Sequence, residues 1–129
     1  MKTTDSDAID PQALERLRRI GGDALLSNIV ALFMSHVEPA LQEAVSGLEL
    51  GDFDSVQRVA HALKSSAGNL GAQQMQRLAD RIEQLAEIRE ARQIQPLLTD
   101  LRAAYLKAKA RLAEEVAEGG RRSVEDLDR

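Results

Sequence analysis

Apolar residues recur along the middle of the chain at the spacing of an α-helix. From Phe53 onward they fall within one sector of about 100° when the chain is wound at 3.6 residues per turn. The stripe consists of Val56, Ala60, Leu63, Ala67 and Leu70. A stripe of this width indicates a helix with one face buried in a core.

Caps and glycines mark two helices before this stripe. Asp10–Pro11 is an N-cap followed by proline at the first helical position, which predicts a short helix that ends at Gly21–Gly22. Asp23 begins a long helix that ends at Gly51, and Asp52 caps the helix that carries the stripe. The first half of the chain is therefore expected to be helical almost throughout.

Two more amphipathic helices are predicted after the stripe. One begins at about Ala72 and follows a short connection, so it should pack antiparallel to the helix before it. The other begins between Ala91 and Pro96 and ends at Gly119–Gly120. The predicted fold is all-α: an antiparallel up-down four-helix bundle, with a short additional N-terminal helix that covers one end.

The chain has the length of a single domain, at 129 residues. Residues 1–8 are expected to form a flexible N-terminus, residues 9–118 the bundle, and the charged residues 119–129 a disordered tail. Hydrophobic residues make up 43% of the chain, but its aromatic residues are only two Phe and one Tyr. The core should therefore be aliphatic and rich in alanine.

Charge and composition exclude several classes of protein. The net charge is -4, whereas a general nucleic-acid binder has an excess of basic residues, so nucleic acid is not expected as a partner. The absence of cysteine excludes disulfides, thiol nucleophiles and thiolate metal ligands. No segment approaches the roughly 18 apolar residues of a spanning helix, and the first residues lack the apolar core of a signal peptide. A soluble, cytoplasmic protein without membrane contact is expected.

A second face of the central helix carries polar and small residues. Gln57, His61, Lys64, Ser65 and Gly68 gather on a sector centred about 135° from the apolar stripe. The imidazole should therefore point outward, and the small side chains at one and two turns beyond it leave it uncovered. Glycine inside a helix costs about 0.5–1 kcal/mol relative to alanine, so Gly68 is unfavourable unless something approaches the helix backbone closely there. A docking partner is the expected candidate.

Lys64 lies three residues after His61, close enough to supply positive charge to a group held on the ring. A nearby cation also disfavours the protonated imidazolium, so the ring should be mostly neutral and nucleophilic near neutral pH. This pair predicts a histidine that accepts a phosphoryl group.

The segment from Arg58 to Ala72 resembles the signature of histidine-containing phosphotransfer (HPt) domains of multistep two-component signalling. The matching elements are Ala60-His61, Leu63-Lys64, the small run Ser65-Ser66-Ala67 and the ending Asn69-Leu70-Gly71-Ala72. In helix order and length the resemblance extends over about residues 9 to 115. Many members have glycine where this chain has Ser65, a departure that bears on how closely a partner approaches the backbone.

The resemblance implies a phosphorelay intermediate. His61 would accept a phosphoryl group from the aspartate of a response-regulator receiver domain and pass it to another receiver aspartate. Lys64 would compensate the phosphate charge, and Glu83, at the place where the family has Glu or Gln, would orient the imidazole. The chain would hold no cofactor, because the magnesium belongs to the receiver, and it would have no kinase activity of its own.

Receiver domains, and a hybrid sensor kinase as a further candidate, are the partners that this resemblance implies. We expect a weak, transient docking surface that includes Gln57, Ser65, Gly68 and Gln76, on a monomer. The main alternative is a non-catalytic helical adaptor that docks receiver or kinase domains without being phosphorylated. A surface histidine without function and a solvated Glu83 are the simpler alternatives for those residues. A metal site is not expected, because neither histidine has a glutamate three residues before it.

Overall fold

The computed structural model describes residues 8–127, with side chains over residues 8–122. Four helices fill this part of the chain, and no strand occurs in it: α1 (Pro11–Leu50), α2 (Phe53–Asn69), α3 (Gln73–Glu87) and α4 (Ala91–Leu127). Each helix packs against two neighbours, α1 against α2 and α4, and α3 against α2 and α4. The predicted all-α four-helix bundle is confirmed.

The predicted short N-terminal helix is the first segment of α1. Gly21 and Gly22 have non-helical backbone angles, and Gly22 has a φ of 72°, so α1 is two helices joined at a kink. Asp10 caps the first segment by accepting a hydrogen bond from the Gln12 backbone N–H at 3.0 Å. The Asp10 N–H in turn donates to the carbonyl of Gly71 at 2.8 Å, which ties this segment to the turn between α2 and α3.

The core is built from the predicted stripes. Every residue of the α2 stripe is buried, and so are the inward residues of the other three helices. Tyr105 and Phe33 are the two aromatic residues of this core, and their rings meet edge to face with centroids 5.8 Å apart. Most of the remaining core side chains are Leu, Val, Ile and Ala, which confirms the aliphatic, alanine-rich interior.

The predicted end of the last helix at Gly119–Gly120 is wrong, because α4 continues through both glycines to Leu127. Residues 119–127, expected as part of a disordered tail, are helical in the structure, and the assignment of the tail stays a prediction. The physical reason is a tertiary contact: a Cβ on Gly119 would lie 2.9 Å from Cγ of Asp23, just after the kink of α1. Oδ1 of Asp23 also pairs with Arg122 at 3.4 Å and with Arg18 at 3.0 Å. The pair between Arg122 and Asp23, beyond the glycines, offsets part of their poor helix propensity.

The division of the chain into N-terminus, bundle and tail otherwise stays a prediction. Residues 1–7 of the expected flexible N-terminus, and residues 128–129 of the tail, lie outside the described residues.

Helix α1 is more apolar than expected. By length and composition it could cross a membrane, since one 18-residue window has a mean hydropathy of 1.4. The expectation that no segment approaches a spanning helix is therefore wrong by this criterion. Part of the apolar content of α1 packs inside the protein, because the inward residues of this helix are buried in the core of the bundle. Those in its second segment include Leu26, Val30, Phe33, Val37 and Leu41.

Candidate functional site

Helix α2 presents His61 on its outer side. The side chain of Asp52 caps the helix by accepting from the Ser55 N–H at 3.2 Å, and the buried stripe fixes which side faces the core. His61 lies away from that stripe, and its side chain is 64% exposed. The imidazole therefore stands at the surface midway along a rigid helix.

Glu83 on α3 holds one edge of the imidazole. Nδ1 of His61 lies 2.8 Å from Oε2 of Glu83, whose side chain is only 19% exposed. An ionised carboxylate can only accept a hydrogen bond, so this contact favours the proton on Nδ1. In the neutral ring the lone pair is then on Nε2, which has no hydrogen-bond partner among the side chains that the structure describes.

Lys64 binds the same carboxylate from the other side. Its Nζ lies 2.8 Å from Oε1 of Glu83 and 3.2 Å from Oδ1 of Asp80. Asp80 is itself held by Gln84, whose Nε2 donates to Oδ2 at 3.0 Å. His61, Glu83, Lys64 and Asp80 thus form one chain of contacts between α2 and α3.

The contacts around Lys64 and Glu83 stabilise the charged forms of these two side chains. The neighbouring Lys64 ammonium lowers the pKa of Glu83 below its usual value, and His61 contributes in the same direction against the opposing effect of burial. Hydrogen bonding to Glu83 first, and to Asp80 second, raises the pKa of Lys64. Near neutral pH the site therefore contains a carboxylate and an ammonium fixed beside the ring.

An open depression of about 530 Å³ lies over the exposed side of the imidazole. Its other lining residues come from both helices of the site: Asp54, Gln57, Arg58 and Glu83. A cavity of this size that is open to solvent can admit a small group such as a phosphoryl group together with part of a partner chain.

The structure brings the other predicted docking residues together only in part. Gln57 is half-buried in the depression beside His61, and Ser65 is exposed on α2. Gly68 and Gln76 meet each other, because a Cβ on Gly68 would lie 2.8 Å from Nε2 of the exposed Gln76. The contacting atom is the end of a flexible, exposed side chain that can move aside, so this contact does not by itself explain glycine at position 68.

Sequence reasoning missed three residues around the ring. Asp80 holds Lys64, and Asp54 and Arg58 line the depression. The spacing contained the signal: Asp80 lies three residues before Glu83 on α3, and Arg58 lies three residues before His61 on α2. These spacings place each residue on the same flank as its partner in the site.

No cluster of three or more His, Asp or Glu side chains able to hold a metal ion occurs among the residues that the structure describes. His61 contacts the carboxylate of Glu83, and that carboxylate is paired with Lys64. The arrangement is suited to holding an imidazole in one orientation with a free nitrogen and fixed charges beside it.

Comparisons with known proteins agree with this geometry. The Hpt domain family matches the chain over residues 28–119, which includes all of α2 and α3 and most of α4. The chain therefore belongs to the family of histidine phosphotransfer domains. A search of curated proteins found no match.

Among solved structures, the chain is similar to histidine-containing phosphotransfer protein B (HptB) from Pseudomonas aeruginosa PAO1. The TM-score is 0.81 at 19% sequence identity, and the alignment covers 86% of this chain and 96% of that one. At this identity the likeness supports the four-helix fold, and family membership supports a general role in two-component phosphotransfer.

Proposed function

We propose that this chain is a phosphorelay intermediate that carries a phosphoryl group on Nε2 of His61. The observation that carries the proposal is the orientation of the ring: Nδ1 is engaged by Glu83 at 2.8 Å, while the side chain is 64% exposed. A ring held in this way presents one nitrogen lone pair to a partner and needs no separate base.

The transfer is a displacement at phosphorus. The lone pair of Nε2 attacks the phosphorus of a receiver aspartyl phosphate, the N–P bond forms, and the P–O bond to the aspartate breaks. The bonding electrons leave with the aspartate, which becomes a free carboxylate. The Nδ1 proton stays in place throughout, so the imidazole gains positive charge that the Glu83 carboxylate stabilises. The reverse displacement on a second receiver returns the ring to its starting state.

Lys64 compensates the negative charge of the phosphoryl group in this proposal. In the unphosphorylated chain its ammonium is already bound by Glu83 and Asp80. The contact with Asp80 is the longer of the two, and the side chain of Asp80 is the more exposed of the two carboxylates. A phosphoryl group on His61 would therefore compete with Asp80 for Lys64 while Glu83 keeps the ring oriented.

The partners in this proposal are receiver domains, and a hybrid sensor kinase is a further candidate donor. Phosphoryl transfer depends mostly on positioning and charge compensation, and the proposal assigns the magnesium to the receiver. The proposed docking surface surrounds the depression over His61 and includes Gln57, Ser65, Gly68 and Gln76. The proposed location is the cytoplasm.

The test is phosphotransfer with the purified chain. We expect at least one phosphorylated receiver from the source organism to transfer its label to the chain within minutes. The labelled chain, once isolated, should pass the label to a receiver that starts unphosphorylated. The bond should be acid-labile and base-stable. Failure to acquire label from every receiver would favour an adaptor that docks without being phosphorylated.

Removing the carboxylate of Glu83 is expected to slow phosphotransfer without abolishing it. In Glu83→Ala the ring loses its hydrogen-bond partner, and misplacement of a reacting group costs about tenfold to a hundredfold. The conservative Glu83→Gln retains an amide oxygen that can accept from Nδ1, so it should recover most of the rate. Rates are measured by single-turnover transfer from one phosphorylated receiver.

A second measurement separates positioning from a general structural effect. Nitrogen NMR of the imidazole should show the Nδ1–H tautomer in the wild-type chain and in Glu83→Gln, and a mixture of tautomers in Glu83→Ala. Equal rates and equal tautomers in all three chains would contradict the assigned role of Glu83.

A further inference from the structure

A groove of about 690 Å³ runs between residues 38–49 of α1 and residues 91–106 of α4. Its floor is apolar. Leu41 and Leu98 are buried at the bottom, while Val45 and Leu106 reach the surface with 37% and 47% of their area exposed. Large apolar side chains that are left exposed along one groove indicate an interaction surface.

The groove lies on the opposite side of the bundle from His61. Helices α1 and α4 pack against each other, and the site is formed by α2 and α3. In a four-helix bundle where each helix contacts only its two neighbours, these two pairs form opposite faces. A molecule bound in the groove would therefore leave the imidazole accessible.

The two rims of the groove carry opposite charges. Its acidic lining residues, Glu38 and Glu49, both lie on α1, and its basic ones, Arg92 and Arg102, both lie on α4. Arg102 Nη2 lies 3.6 Å from Glu38 Oε1, so these two residues are level with each other. The two helices are antiparallel. Glu49 lies eleven residues after Glu38 on α1, and Arg92 lies ten residues before Arg102 on α4. At 1.5 Å per residue, Glu49 and Arg92 are therefore also level with each other, about 15 Å farther along the groove.

We propose that a second copy of this chain occupies the groove, in a homodimer whose two-fold axis runs parallel to the groove. Such an axis places α1 of each copy over α4 of the other and preserves height along the groove. Glu38 then meets Arg102 of the other copy, and Glu49 meets Arg92. A two-fold axis across the groove would instead place acidic α1 on acidic α1.

The centre of the groove suits such an interface. Between the charged positions the lining is uncharged, with Gln42, Gln95 and Thr99 around Leu41, Leu48, Leu98 and Val45. Interfaces typically have few charges at the centre and polar groups at the rim. The dimer differs from the monomer expected from the sequence. The His61 side chain of each copy would face away from the interface.

The first test measures the mass of the wild-type chain by sedimentation velocity over a range of concentrations. We expect a reversible monomer–dimer equilibrium. Val45→Lys, which places a charge at the centre of the groove, should weaken dimerisation by at least about a hundredfold. The matched control is Leu32→Lys: Leu32 is also exposed on the bundle, at 59%, but does not line the groove, so dimerisation should be unchanged.

The second test exchanges charges between copies. Glu49→Arg alone and Arg92→Glu alone should each weaken self-association by about tenfold or more, because like charges then face each other on both sides of the axis at that end of the groove. When the two variants are mixed, every such pair is again opposite in charge, so a heterodimer should form. Glu49 and Arg92 are both exposed, so the substitutions should not disturb the core. Circular dichroism and phosphotransfer to His61 verify that each variant is folded.

Three results would overturn the proposal. They are a wild-type chain that is monomeric up to about 1 mM, a dimer that persists in Val45→Lys, and charge variants that do not combine when mixed. None of these results affects the phosphotransfer assay, so the dimer can fail while the proposed function stands.

Discussion

Replacing His61 with glutamine is expected to abolish phosphoryl incorporation from a phosphorylated receiver, a loss of at least about a thousandfold. The amide cannot supply the nitrogen lone pair that attacks phosphorus, and the neighbouring Ser65 has no base beside it in the structure's contacts. The measurement is label transferred to the chain after incubation with a receiver that phosphorylates the wild type.

The matched control for this substitution is His36→Gln. His36 is the other histidine of the chain and is also exposed, but it lies on α1, away from Glu83 and Lys64. We expect it to incorporate label at the wild-type rate. Incorporation in His61→Gln, or its loss in a folded His36→Gln, would contradict the assignment of His61.

Truncating Tyr105 is expected to produce the largest loss of stability in the bundle. Its ring is fully buried between the helices and packs edge to face on Phe33 with centroids 5.8 Å apart. Tyr105→Ala removes this contact and leaves a cavity, at a cost of about 3–5 kcal/mol of unfolding free energy. Domains of this size have about 5–15 kcal/mol in total, so the variant should unfold at much lower urea concentration, followed by circular dichroism.

Tyr105→Phe is the control that retains the ring. The hydroxyl donates to the carbonyl of Met34 at a long distance of 3.5 Å, so its removal should cost about 1 kcal/mol or less. If Tyr105→Ala were as stable as Tyr105→Phe, the ring would not be the centre of the core that the structure describes.

The parts of the fold that could be predicted from the sequence depend on local signals. The α2 stripe, the Asp52 cap and the glycine kink of α1 all follow from spacing and from residue type. The continuation of α4 beyond Gly119 could not be predicted in this way. It depends on contact with Asp23, nearly a hundred residues earlier in the chain.

In the site, too, the features that depend on one helix could be predicted from spacing alone, and those that depend on contacts between helices could not. The outward direction of His61 follows from the helical wheel, because it needs only the period of α2. The position of Lys64 could be predicted, but its pairing with Asp80 and Glu83 depends on the register of α3 against α2. A pattern within one helix does not determine that register, and the contact of Glu83 with the ring is expected from its place on the flank of its helix together with the resemblance to HPt domains.

The most direct test of the account is NMR of the phosphorylated chain labelled with ¹⁵N. Phosphorus attached to His61 should show scalar coupling to Nε2, while Nδ1 keeps its proton and its hydrogen bond to Glu83. Phosphorus attached to Nδ1, or to any residue other than His61, would contradict the account.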